Sequence, residues 1–296
     1  MAEPIQQFGG KWTDQKLQRL REYLIAYQEA LKNQPFKLFY IDAFAGTGYN
    51  TPKINPDNSS PLFDDLVRSD TREFVDGSAR IALQIPRPFD HYVFVERDPS
   101  RHAELRRLKA DFPHLAARIE PINEEANNYL TALCKSVDWL RIGRRAVVFL
   151  DPFGMQVTWA TISAIAETKA IDLWLLFPLG VAVNRMLPKH GQIPSGWRQR
   201  LDLMFGEPNW YQAFYEKRET GDLFGGTSET TVKRAGYFAI ADYFVKRLKT
   251  VFPHVAKNPL PLLNSAHCPL YLLCFAAGNP KGGTIAKRIA EHILKP

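Results

Sequence analysis

Four polar residues stand at the ends of short apolar segments, in a pattern typical of a ligand site: Asp42, Glu96, Asn123 and Asp151. A carboxylate such as Glu96 can accept two hydrogen bonds from the hydroxyls of a ribose. The amide of Asn123 can read the edge of an adenine. Asp42 suits a ligand that carries a positive amine, and Asp151 can face whatever binds beside the cofactor. The pattern predicts a nucleotide-like cofactor with a second binding position next to it.

The turn after Asp42 decides between two such cofactors. Gly46 and Gly48 let the backbone turn sharply and let a ligand approach without a Cβ in the way, with Phe44 inside the same turn. A dinucleotide such as NAD needs a third glycine and a prompt helix for its pyrophosphate, but Thr51 holds that place and prolines follow. S-adenosylmethionine has no pyrophosphate and needs no such helix. The turn therefore favours S-adenosylmethionine over NAD.

These residues need a parallel sheet to bring them together. Four β-rich apolar segments and a weaker fifth predict its strands: Lys37–Ala43, His91–Glu96, Ala146–Asp151, Ile171–Phe177 and, less clearly, Arg118–Asn123. Helical segments separate most of them, which is typical of an α/β fold with right-handed crossovers. In such a sheet, ligands bind at the carboxyl ends of the strands.

The remaining segments are predicted to decorate a single domain that covers residues 1–296. An amphipathic helix that starts near Thr13 dominates an N-terminal extension over residues 1–36. Residues 49–77 form an inserted loop, and residues 184–250 form a basic insertion of helices and loops. That insertion ends in a long helix over 228–250. Pro269–Ala277 is then expected as an antiparallel edge strand.

The charge of the chain is unevenly distributed. Residues 1–179 carry 22 Lys and Arg against 23 Asp and Glu, whereas residues 180–296 carry 16 against 8. The whole net charge of +7 therefore comes from the last part of the chain, where the aromatic Trp197 stands among several cations. This indicates either a face that binds nucleic acid or a partner, or simply a solvated basic surface. The candidate binding residues are Arg185, Lys189, Arg198, Arg200, Lys246 and Arg247.

Composition excludes several other classes of protein. The chain is 45% hydrophobic and 23% charged, as in ordinary globular proteins. The longest apolar run, Ile171–Val183, is too short to span a bilayer, and the N-terminus does not read as a signal peptide. The three cysteines form no metal-binding spacing, which predicts a cytoplasmic protein without a zinc or iron–sulfur site of its own.

With these motifs in hand, the chain resembles the class I S-adenosylmethionine-dependent methyltransferases, and within them the three-Cys-motif partner family. The resemblance rests on Y-I-D-A-F-A-G-T-G at 40–48, F-V-E-R-D at 94–98 and V-F-L-D-P-F-G at 148–154, with P-L-Y-L-L-C-F-A-A-G-N-P-K-G at 269–282. It implies a Rossmann-like methyltransferase fold and a three-Cys-motif iron–sulfur partner. It also implies that Asp42, Gly46, Gly48 and Glu96 line the cofactor site and that Asp151 faces the acceptor. Phe44 and Asn123 complete the predicted cofactor site, and Pro152 and Phe153 complete the predicted catalytic site.

One departure leaves the reaction open. Methyltransferases that act on amino groups of nucleic acids carry Asp/Asn-Pro-Pro-Tyr/Phe after the fourth strand, and here Asp151-Pro152-Phe153-Gly154 lacks the second proline. The aromatic residue thus comes one place early. Two hypotheses follow: a methyltransferase that acts on nucleic acid or a nucleotide, and a non-catalytic adaptor of the same fold that binds nucleic acid or the partner enzyme.

Overall fold

The computed structural model describes residues 11–47, 77–221 and 227–295. Its first half contains, in order, α1 (Lys11–Leu31), β1 (Lys37–Asp42), α2 (Ser78–Leu83), β2 (His91–Val95), α3 (Pro99–Leu105), α4 (Leu108–Asp111), β3 (Ile119–Ile122), α5 (Ala126–Ser136), β4 (Arg144–Leu150), α6 (Trp159–Glu167) and β5 (Ile171–Phe177). Its second half contains α7 (Ser195–Phe205), α8 (Trp210–Phe214), β6 (Tyr215–Gly221), β7 (Thr227–Lys233), α9 (Tyr237–Val251), β8 (His254–Val255), β9 (Leu260–Leu263), β10 (Pro269–Ala277) and α10 (Gly283–Ile293).

One mixed sheet organises the described chain. Its strands follow the order β3-β2-β1-β4-β5-β10, and both β8 and β9 pair with the outer side of β10. The first five strands are mutually parallel, so their carboxyl ends lie at one edge. This mainly parallel, Rossmann-like α/β architecture is the fold class that the alternating strands and helices predict.

Both faces of the sheet are buried, which explains why its strands read as continuous apolar runs. Strand β1 shows the division: Tyr40 belongs to the core beneath helix α1, while Ile41 belongs to the core on the opposite face. Tyr23 of α1 anchors the first layer, because its ring lies 5.1 Å from that of Trp174 and 5.0 Å from that of Phe275. Helices therefore cover the sheet on both sides, as predicted.

The predicted long helix over 228–250 is wrong in its first third. Strand β7 occupies this stretch and pairs antiparallel with β6. Thr230, Thr231 and Val232 are consecutive β-branched residues, which suit a strand better than a helix. Helix α9 begins only after Gly236, its N-cap residue.

The final strand is antiparallel, as predicted, but it is not an edge. Residues Pro269–Leu273 pair with β9 and Ala276–Ala277 pair with β8, so β10 is hydrogen-bonded on both sides. Its nearly unbroken apolar sequence is consistent with an interior strand, because an exposed edge of this composition would invite aggregation. The sequence reading also missed helix α10, which packs beside it.

Two other predictions concern parts that the structure describes incompletely. Gly48 and residues 49–76 of the predicted insertion lie outside the described residues. The predicted 184–250 insertion contains α7, α8, the β6–β7 hairpin and α9. The division of the chain into one domain with these additions stays a prediction. No helix among the described residues is both long and apolar enough to cross a membrane.

Candidate active site

A cavity of about 550 Å³ opens at the carboxyl ends of β1, β2 and β4. This volume falls within the usual range for small-molecule sites. Six of the nine predicted cofactor-binding and catalytic residues border it. Its wall contains Trp12, Lys16, Ala43, Phe44, Gly46, Val95, Glu96, Arg97, Arg101, Glu124, Glu125, Ala126, Asp151, Pro152, Phe153, Gln156, Val181, Leu270 and Tyr271.

The turn after β1 forms one wall of the cavity. Gly46 has a φ of +60°, in the left-handed region that residues with a Cβ disfavour. Among the described residues, no atom lies within 4 Å of the place where a Cβ would stand. The glycine is thus needed for backbone conformation and leaves open space beside the chain. Phe44 also borders the cavity.

Asp42 supports this turn from below and is not part of the cavity wall. Its side chain is fully buried; one oxygen accepts the Ser78 hydroxyl at 2.5 Å and the other accepts the Phe44 N–H at 3.2 Å. Burial, with the nearby charge of Asp151, raises the pKa of Asp42 to about 7 despite the two hydrogen bonds and Lys16. The predicted direct contact with a ligand amine does not fit this enclosed position.

Glu96 stands at the end of β2 with one oxygen engaged. Its Oε1 accepts the Asp98 N–H at 2.8 Å and the Arg101 guanidinium at 3.0 Å. The side chain is 8% exposed and borders the cavity. Within the described part of the chain Oε2 accepts no hydrogen bond, so it can receive one from a ligand. The carboxylate is therefore both oriented and available.

Asn123 makes hydrogen bonds to the backbone next to Glu96. Its amide nitrogen donates to the carbonyls of Glu96, at 2.8 Å, and Arg97, at 3.0 Å. Asn123 does not border the cavity, whereas the next three residues, 124–126, do. Its amide thus holds the backbone at Glu96 and Arg97, and its reading of an adenine edge stays a prediction.

Asp151 forms an ion pair that the sequence reading missed. The Lys16 ammonium lies 2.5 Å from Asp151 Oδ2, and the two side chains are 8% and 25% exposed. Lys16 comes from helix α1, 135 residues away along the chain, and its Nζ lies 5.2 Å from the centroid of the Trp12 ring. The sequence contained a signal for a buried Lys16, since this residue shares the apolar face of α1 with Leu20 and Tyr23.

The residues after Asp151 complete the opposite wall. Pro152 is buried, while Phe153 is 59% exposed and still borders the cavity. Gly154 has a φ of +74°, so a sharp left-handed turn follows the aromatic residue at once. The early position of Phe153 therefore does not remove it from the site. The left-handed turn gives Gly154 a conformational role.

None of the six basic residues predicted to bind nucleic acid or a partner borders the cavity. Arg247 is largely committed inside the fold, to Phe205, Glu207 and Trp159. Lys246 pairs with Asp242 at 2.7 Å on the surface of α9. Arg198 lies over Tyr211, with its guanidinium carbon 4.9 Å from the ring centroid. Arg185, Lys189, Arg198 and Arg200 are all exposed.

Within the described residues, no group of three His, Cys, Asp or Glu side chains could hold a metal ion. The groups that border the cavity include carboxylates, the Lys16 ammonium and aromatic rings. Cys134 and Cys274 are buried and Cys268 is exposed.

Comparison with known proteins gives structural matches only. No family model matches the chain, and no curated protein matches it. Protein LPL1258 from Legionella pneumophila is 16% identical, with a TM-score of 0.39 and coverage of 82% of this chain and 93% of that one. The glycopeptide N-methyltransferase MtfA, solved with S-adenosylmethionine, is 10% identical, with a TM-score of 0.33 and coverage of 94% and 99%. The 23S rRNA methyltransferase ErmE is 13% identical, with a TM-score of 0.28 and coverage of 73% and 68%.

These similarities are weak and carry no residue roles to this chain. The fold itself rests on the strand order and directions described above, which are those of a mainly parallel, Rossmann-like α/β sheet. The narrower resemblance to the three-Cys-motif partner family stays a prediction. Activity has to be argued from the cavity.

Proposed function

We propose that the protein is an S-adenosylmethionine-dependent methyltransferase whose acceptor is a nucleic acid or a nucleotide. The observation that carries the proposal is the position of Glu96, at the end of β2, in one cavity with the Gly46 turn and Asp151. Such an enzyme needs three features at this edge of the sheet: an acid that binds the ribose, an open turn, and an acid that faces the acceptor. Glu96, the Gly46 turn and Asp151 supply them in turn.

The cavity suits this cofactor in three respects. The free oxygen of Glu96 can accept hydrogen bonds from the ribose hydroxyls. The open backbone at Gly46 can approach the amino-acid part of the cofactor closely. Carboxylates along the wall favour a positively charged sulfonium. When bound, S-adenosylmethionine supplies an electrophilic methyl group.

The protein's own residues would orient the acceptor and manage its proton. Asp151 is the candidate to accept a proton or a hydrogen bond from the acceptor, because Lys16 holds it in place and one of its oxygens remains available. Phe153 and Trp12 can exclude water from the same part of the cavity. Such positioning and proton transfer are the main contributions a protein makes to a transfer of this kind.

Calorimetric titration of S-adenosylmethionine and its demethylated product tests the cofactor site. We expect both compounds to bind the wild type, and Glu96→Ala to weaken binding at least about tenfold, because hydrogen bonds to a charged group are worth ~1.5–3 kcal/mol. Glu120→Ala removes an exposed acid from β3, away from the cavity, and serves as the matched control. No binding to folded wild-type protein would refute the proposal for the isolated chain.

Asp151→Asn tests the catalytic part of the proposal. We expect cofactor affinity to change less than about threefold, and transfer of a labelled methyl group to total RNA or DNA to fall by ~10²-fold or more. Unchanged transfer would exclude Asp151 from the reaction.

A second function, that of an adaptor, is favoured by the basic excess in residues 180–296 and by its separation from the cavity. Here the chain would bind nucleic acid or a three-Cys-motif iron–sulfur protein through that region. Pull-down of the partner by wild type and Glu96→Ala distinguishes the cases. The adaptor function requires two results. The wild-type protein does not bind S-adenosylmethionine, and Glu96→Ala pulls down the partner as well as the wild type does. A cytoplasmic location fits either function and belongs to this proposal.

A further inference from the structure

The Lys16–Asp151 pair has unused hydrogen-bonding capacity toward the cavity. An ammonium has three N–H donors, and Lys16 uses one of them on Asp151 Oδ2. Among the described residues no second acceptor contacts this buried ammonium, and no donor contacts Asp151 Oδ1. A buried ammonium with a single acceptor is uncommon, because buried polar groups are normally satisfied. The pair therefore presents a donor and an acceptor side by side.

The charge of the pair limits what can bind there. Lys16 and Asp151 together are neutral, and Asp42 lies buried beneath them. A neutral ligand edge with one acceptor next to one donor matches the pair, because its acceptor faces the Lys16 donor and its donor faces the Asp151 acceptor. A strongly anionic or cationic group would leave one member of the pair opposed to a like charge.

Aromatic side chains border the same cavity, and the Trp12 ring centroid lies 5.2 Å from Lys16 Nζ. Trp12 and Tyr271 both border the cavity, with ring centroids 5.0 Å apart and planes inclined by 30°. Phe153 borders it from the end of β4 and exposes 59% of its surface. Aromatic walls of this kind stack on flat rings, at ~1–3 kcal/mol for each base stacked.

From these observations we propose that Lys16, Asp151 and Trp12 form a binding subsite for a flat heteroaromatic ring with a lactam edge, that is, a ring carbonyl beside a ring N–H. The carbonyl accepts from the Lys16 ammonium, the N–H donates to Asp151 Oδ1, and the ring lies against Trp12 and Tyr271. This deepens the proposed function, on which it rests, by defining the chemical class of the acceptor. Lys16 is then a specificity-determining residue supplied by the N-terminal helix.

Paired nucleosides test the subsite without any turnover. Guanosine and uridine carry a lactam edge, whereas 1-methylguanosine and 3-methyluridine keep the ring and carbonyl but lack the N–H. We expect each unmethylated nucleoside to bind at least about tenfold more tightly than its N-methylated partner, because the methyl group removes the donor and leaves the Asp151 oxygen unpaired. Titrations are run with and without the demethylated cofactor product.

Variants assign the binding to the subsite. Lys16→Met keeps the length of the side chain and should weaken the binding of guanosine and uridine about tenfold. Its affinity for the demethylated cofactor product should stay within about twofold of the wild type. Lys16→Arg should restore part of the lost nucleoside affinity. Trp12→Leu should weaken the methylated and unmethylated nucleosides alike, and Lys135→Met, on the exposed face of α5, should change nothing.

The outcomes are distinguishable. Three results would each overturn the subsite: equal affinity for methylated and unmethylated nucleosides, no nucleoside binding, or normal nucleoside binding by a folded Lys16→Met protein. The ion pair would then be only a structural link between α1 and the sheet. Failure of the cofactor product to bind, with nucleoside discrimination intact, would instead refute the proposed methyltransferase and support the subsite.

Discussion

Two fully buried carboxylates, those of Asp42 and Asp172, have raised pKa values. Asp42 lies under the cavity, and Asp172 of β5 accepts the Tyr23 hydroxyl at 2.7 Å on the side covered by α1. Burial raises the pKa of Asp172 to about 7, although the Tyr23 hydrogen bond and the nearby Arg145 lower it. Both acids therefore hold their protons more tightly in the folded chain than in the unfolded one, where their pKa is about 3.9.

This predicts that folding stability falls as the pH rises. The contribution of each acid is fully present below about pH 4 and is lost as the pH rises through about 7, because only the unfolded chain is ionised in that interval. Asp172→Asn keeps an acceptor for Tyr23 and cannot ionise. We expect this variant to be more stable than the wild type at pH 8, by about 2 kcal/mol or more, and to differ much less at pH 5. Urea denaturation at the two pH values measures the difference.

Asp138→Asn, at an exposed position after α5, is the matched control and should show the pH dependence of the wild type. If Asp172→Asn retained the full wild-type slope between pH 5 and 8, burial of Asp172 would not be the source of that slope.

At the level of elements, the basic third of the chain is a packed structure rather than a loose loop. Arg247 of α9 connects three elements: its Nε donates to the Phe205 carbonyl at 3.0 Å, pairs with Glu207 Oε1 at 3.2 Å, and its guanidinium carbon lies 4.4 Å from the centroid of the Trp159 ring. Its neighbour Lys246 points to solvent. Adjacent cations on one helix thus have opposite environments.

Arg247→Ala is therefore expected to destabilise the fold by about 2 kcal/mol, through the loss of a hydrogen bond, a partly buried ion pair and a cation–π contact. Lys246→Ala should cost less than about 0.5 kcal/mol, as is usual for an exposed helix pair. Chemical denaturation compares the two. Similar, small losses would mean that Arg247 is not a structural residue and is available for ligands.

At the level of the whole molecule, the basic excess and the cavity use different surfaces. Helix α7 exposes Arg198 and Arg200 and contributes no residue to the cavity wall. If this region binds nucleic acid, each phosphate contact adds to the dependence of affinity on salt.

The charge-reversal pair Arg198→Glu and Arg200→Glu should then weaken binding of a single-stranded RNA oligonucleotide by about tenfold or more and lower the salt slope by about two. Arg106→Glu with Arg107→Glu makes the same change in net charge near α3 and should have a much smaller effect. Filter binding over a series of salt concentrations decides. Equal effects of the two pairs would indicate a general charge effect and no binding face on α7. Cofactor affinity should stay unchanged in both.

The sequence by itself determined the central sheet and six of the residues at the cavity wall: Phe44, Gly46, Glu96, Asp151, Pro152 and Phe153. Strands β1 to β5 lie within two residues of their predicted bounds, because fully buried strands are local runs of β-rich apolar residues. Since parallel strands end at one edge, the placement of Glu96 and Asp151 in one cavity followed from the order of motifs.

Only the tertiary structure decided the features that depend on residues far apart along the chain. The strand conformation of Thr227–Lys233 requires pairing with β6, and the interior position of β10 requires β8 and β9. Asn123 turned out to hold backbone carbonyls, and Asp42 to be enclosed by Ser78, because side-chain hydrogen bonds are chosen by proximity in space. The ion pair between Lys16 and Asp151 joins residues 135 positions apart, and only the packing of α1 against the sheet could bring that ammonium into the cavity.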